Sequence, residues 1–139
     1  MQHNPWRELA ALDGVVVSWR DDLPPGVLGA TDGVSIIYLR KDLRQVERRC
    51  TLAHELTHLR LGHRGCVDPR TEAEVRRLTA LRLVSLPQLL DAARWAGTDA
   101  ELARELWVTR AVLADRLAAL SPAERAQLDR VADGAWHHG

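Results

Sequence analysis

The chain has no apolar run approaching the roughly 20 residues that a membrane-spanning helix requires, so no span is expected. It also lacks an N-terminal stretch joining a basic start, an apolar segment of signal length and a small-residue cleavage site, so a soluble, cytoplasmic protein is expected. Cysteine is scarce: Cys50 and Cys66 are too few for a disulfide framework, and a cytosolic setting would keep both as free thiols. Charge of one sign is missing too, because acidic and basic residues cancel at 19 each. A neutral chain offers no strong field to draw in nucleic acid or an anionic membrane surface. There is a single tyrosine, Tyr38, and there are no internal repeats or low-complexity segments. With 139 residues the chain has room for one domain with a real core and a small helical appendage, but not for two full-sized domains.

What is present reads as α+β. Asn4 before Pro5 is an N-cap with proline at the first helical position, opening a short helix to about Leu12 that presents Trp6, Leu9 and Leu12. Residues Val15 to Trp19 and Val34 to Leu39 are β-branched and apolar, separated by turn signals at Asp21 to Gly26 and at Asp32-Gly33. They predict a small antiparallel sheet. Leu43 to Leu61 predicts one long helix, with Asp42 and Gln45 as a capping pair and Gly62 in the place of a left-handed cap. Helices then follow from Asp68-Pro69 to about Val84 and from Ser85 to Trp95. Three more open at Thr98, at Thr109 and at Ser121-Pro122, the last ending near Gly134. The predicted division is a first domain over residues 1–90 and an all-helical subdomain over 91–139.

The chemistry concentrates on the long helix. His54 and His58 are four residues apart, which sets both imidazoles on one helical face where they can hold one tetrahedral zinc ion. Glu55 follows the first histidine about 100° around the helix, within reach of a water in the metal's open position, and is the natural general base. Two histidines and a glutamate on a mostly apolar helix are expensive to bury unless something binds them. Catalytic zinc takes a third protein ligand. A third histidine three residues past a glycine would serve, but Leu61 and Arg64 hold those two places. His63 is therefore read as a helix-terminus or supporting group beside the ligands. Glu72 and Glu74 on the next helix are the acidic candidates, and their spacing allows only one to face the metal.

These residues resemble the ImmA/IrrE family of metallopeptidases. Arg49-Cys50-Thr51-Leu52-Ala53-His54-Glu55-Leu56-Thr57-His58 is similar to that family's active-site helix, and Leu61-Gly62-His63 to its continuation. Downstream, Glu72 matches the family's glutamate, with Val75 at an alanine position, Leu78, Ala80 and Leu83 along an apolar face, and Ser85 where proline is common. The resemblance covers roughly residues 15 to 90. It implies a zincin-like fold with a short sheet packed beside the active-site helix, one zinc ion, and Glu72 rather than Glu74 as third ligand. Family members occur near repressors in phages and mobile elements, so the resemblance implies an endopeptidase acting on a regulatory protein such as a helix-turn-helix repressor.

Further residues carry lesser expectations. Zincin-like enzymes bind substrate as an added strand, here along Ser35 to Leu39, and Tyr38 on that strand is a candidate donor to the oxyanion. Cys50 shares the ligand face but reads as a buried small hydrophobe, and Cys66 as an exposed loop thiol. The five tryptophans are scattered, which points to core or interface packing. Glu101 to Thr109 leading into Val112 to Leu120 has the rhythm of a helix-turn-helix. The alternative function is accordingly a non-catalytic protein that binds a repressor or toxin, with a possible DNA-contacting rear half. Acids outnumber arginines from Thr98 to Gly139, which counts against DNA contact.

Overall fold

In the computed structural model, which describes residues 2–132, seven helices and three strands follow the order α1 (Pro5–Ala10), β1 (Val16–Arg20), β2 (Gly29–Thr31), β3 (Ile36–Arg40), α2 (Gln45–Arg60), α3 (Pro69–Leu83), α4 (Leu86–Ala93), α5 (Asp99–Leu106), α6 (Arg110–Ala118) and α7 (Pro122–Val131). The α+β class expected from the sequence holds. Packing divides the chain into two compact units, residues 4–79 and residues 80–132 with residues 2–3. The end of the seventh helix expected near Gly134, together with Trp136 and His137-His138, lies outside the described residues.

Most helix starts are written in short polar residues. The Asn4 side chain accepts from the backbone N–H groups of Trp6 and Arg7, and Asp68 accepts from Thr71. Ser85, Thr98, Thr109 and Ser121 cap α4 to α7 in the same way. Each cap satisfies amides that the first helical turn leaves without a partner. α2 differs from expectation. Its N-cap is Arg44, whose backbone N–H donates to Glu47 at 3.0 Å, while Asp42 pairs outward with Arg40. An arginine side chain has no acceptor, so only half of a capping box forms.

The expected antiparallel sheet requires correction. Strand order is β1-β3-β2, with β2 antiparallel to β3 but β1 parallel to it in the register Val16 with Ile36 to Arg20 with Arg40. The three-residue strand β2 is too short to carry a visible alternation, and it takes the hairpin position beside β3 that β1 would otherwise occupy. One sheet face packs on α2: Ile37 and Leu39 meet Leu52 and Leu56 in a fully buried cluster flanked by Leu9, Leu12, Val15, Val17 and Leu59. Each such burial is worth roughly 1.5–3 kcal/mol. Gly29 lets β2 approach α2, because a β-carbon there would lie 2.6 Å from the Thr51 methyl group.

The second unit is helical, with Leu89, Leu102, Leu113 and Leu128 buried. Gln2 donates to the Leu106 carbonyl at the end of α5, and the buried Arg116 donates to the Val84 carbonyl at 2.7 Å. The four tryptophans among the described residues are not core residues: Trp6, Trp19, Trp95 and Trp107 are exposed. Trp6 stacks on Trp19, and the Arg48 guanidinium lies 4.9 Å from the Trp19 ring centre. No described helix is long and apolar enough to cross a membrane.

Candidate metal centre

α2 and α3 bring the site together within the first unit. Glu72, Val75 and Thr79 recur at helical spacing along one stripe of α3. Val75 is fully buried, and the Thr79 hydroxyl lies at hydrogen-bond distance, 3.0 Å, from the Thr57 hydroxyl of α2. That contact sets this stripe against α2, and Glu72 on the same stripe falls opposite the histidines. Its two carboxylate oxygens lie 2.7 Å from His54 Nε2 and 3.0 Å from His58 Nε2. Glu74 points elsewhere and pairs with Arg77 at 2.8 Å on the surface.

One donor atom from each of His54, His58 and Glu72 lies within 4.8 Å of the others. Two neutral imidazoles and one carboxylate match the donor set of a catalytic zinc site, which uses three protein ligands and keeps a position for water or substrate. Electrostatics favours the same use. The His58 ring is driven below its ordinary pKa, first by burial and then by the nearby His54, which keeps a lone pair available to a cation. Burial pushes the Glu55 carboxyl up to about 7, and the neighbouring Glu72 carboxylate adds to the shift. Both protonation states of Glu55 are then accessible near neutral pH, as a group that takes and returns a proton requires.

His63 completes the surroundings. Its Nδ1 lies 3.0 Å from His58 Nδ1, on the side of the ring away from Glu72. This agrees with a supporting group rather than a ligand, and among the described residues it is outside the metal-ligating cluster.

Tyr38 is not brought to the site. Side chains alternate across a strand, and its neighbours Ile37 and Leu39 face α2, so Tyr38 projects from the opposite face in line with Ser18 and Ala30. The expectation of strand addition along Ser35 to Leu39 also fails, because β3 is central and hydrogen-bonded on both sides. Among the described residues, the unpaired edges of this sheet are those of β1 and β2. Cys50 is buried and Cys66 exposed, as expected.

What the sequence missed is Gly33. In the turn before β3 its φ is +77°, and a β-carbon there would overlap the His63 carbonyl oxygen. The Asp32-Gly33 pair signalled a turn, but nothing local signalled what the turn would touch.

Comparison with known proteins gives one result. The profile of the Peptidase M78 family, described as the IrrE N-terminal-like domain, matches residues 19–118, which include all four residues of the centre. No curated protein and no solved structure matches the chain.

Proposed function

The chain belongs to the Peptidase M78 family of IrrE N-terminal-like domains, and from that premise we propose that it is a zinc endopeptidase cutting a regulatory protein. The observation that carries the reading is the convergence of His54, His58 and Glu72 beside a buried Glu55. In this reading His54, His58 and Glu72 hold the ion. Bound there, zinc supplies a Lewis acid for a peptide carbonyl and a positive charge that favours ionised Glu55. The Glu55 carboxylate accepts a proton from the attacking water as the new C–O bond forms. It then returns that proton to the departing amide nitrogen as the C–N bond breaks. Burial serves this exchange by keeping bulk water from levelling the carboxyl's proton affinity.

The proposed substrate class is a helix-turn-helix repressor, from the resemblance of the active-site helix to the ImmA/IrrE pattern, and the proposed setting is the cytoplasm, where such a repressor acts. α5 and α6, joined through Trp107 in a left-handed conformation, are proposed to serve structure or substrate docking rather than DNA contact.

The test combines zinc analysis of the purified protein with a cleavage assay on a candidate repressor, read by intact mass. About one zinc per chain is expected, with Glu55→Gln retaining the ion but cleaving at least about a hundredfold more slowly. Undiminished cleavage by that variant would remove Glu55 from its role.

A further inference from the structure

The end of α2 folds back on its own metal-facing histidine. Gly62 takes a left-handed φ of +73°, its N–H donates to the Leu59 carbonyl at 3.1 Å, and the His63 N–H donates to the His58 carbonyl at 3.0 Å. This pair of bonds is a Schellman cap, whose outer residue usually makes an apolar contact back on the last turn. Here the contact is polar: the His63 and His58 rings meet edge to face at 5.3 Å with their Nδ1 atoms at hydrogen-bond distance.

A shared bond between two Nδ1 atoms needs one donor and one acceptor. If His58 Nε2 offers its lone pair to a metal, its proton must reside on Nδ1, and His63 Nδ1 must accept it. The backbone behind His63 is held as well. The Asp32 carboxylate accepts from the N–H groups of Val34, Ser35 and Ile36 at 2.8–2.9 Å, tying down a turn whose Gly33 lies against the His63 carbonyl.

We propose that His63 is a positioning residue of the metal centre: its Nδ1 accepts the His58 Nδ1 proton and fixes the tautomer and ring angle that aim His58 Nε2 at the ion. The inference deepens the zinc reading above and rests on it. His63 does not touch the reacting atoms; it acts through His58.

Zinc affinity, measured by competition with a chromogenic chelator, tests this in wild type, His63→Leu, His63→Asn and His63→Gln. Leucine keeps bulk without an acceptor and is expected to weaken zinc binding about ten- to a hundredfold. Asparagine places a carbonyl oxygen at the Nδ1 distance from the backbone and is expected to recover most of the loss. Glutamine reaches one bond further and is expected to resemble leucine. In zinc-loaded wild type, nitrogen-edited NMR is expected to show a protected His58 Nδ1–H proton that disappears in His63→Leu. Equal zinc affinity in wild type and His63→Leu would overturn the proposal while leaving the zinc reading intact. So would asparagine and glutamine behaving alike, a comparison that decides the matter even if the leucine variant does not fold. A wild-type protein without zinc affinity would overturn both.

Discussion

Glu72 and Glu74 are two residues apart on one helix, yet one faces two imidazoles and the other an exposed arginine. Removing Glu72 takes away a ligand, whereas removing Glu74 takes away only a solvent-screened surface ion pair. Zinc titration is therefore expected to show binding collapse in Glu72→Ala and stay unchanged in Glu74→Ala. The same helix offers a second residue test. Thr79 donates to Thr57 or to the Val75 carbonyl at 2.7 Å, and Thr57 donates onward to Ala53. Thr79→Val keeps the shape and deletes the hydroxyl in a buried place. Chemical denaturation is expected to register a loss of about 1 kcal/mol.

At the scale of elements, two glycines with nearly the same φ make different demands. Gly62 ends α2 with nothing near its missing side chain, so Gly62→Ala should cost only the left-handed conformation, roughly 1–2 kcal/mol. Gly33→Ala adds a clash with the His63 carbonyl to the same conformational cost. Denaturation midpoints should place Gly33→Ala clearly below Gly62→Ala, with zinc affinity falling further in the former. The turn around Gly33 also carries a pH signature. Three backbone N–H groups hold the Asp32 carboxyl down from the ordinary 3.8 to about 2. A depressed carboxyl contributes stability that is complete above its unfolded value and lost as pH falls through its folded value. Acid titration of stability should therefore show a decline between 3.8 and about 2 that is reduced in Asp32→Asn, which keeps the acceptor oxygen without the titrating charge.

For the whole molecule, a ligand that binds only the folded chain stabilises it by mass action, by about 2.7 kcal/mol at a hundred times its Kd. Zinc is expected to raise the melting temperature of wild type by several degrees, at roughly 2–8 °C per kcal/mol. Chelator should reverse the rise, and His58→Ala should show none. A wild-type melting curve indifferent to zinc would count against a preformed site.

Features set by residues close along the chain were legible without any coordinates. The i, i+4 spacing of His54 and His58, the polar caps of α1 and α4 to α6, and the left-handed cap at Gly62 depend on a few consecutive residues and elementary helix geometry. The tertiary structure alone decided what depends on distant partners. A strand's propensity does not fix its neighbour's direction, so the parallel pairing of β1 with β3 was hidden. Which strand face meets α2 depends on register, and that choice carried Tyr38 away from the site. From residue chemistry alone Glu72 and Glu74 were equivalent, and only the resemblance favoured Glu72; in the fold, Thr79 on the same stripe of α3 meets Thr57 of α2 and Glu72 faces the two imidazoles. The contact of Gly33 with His63 joins segments thirty residues apart in sequence, where only folding can make them neighbours.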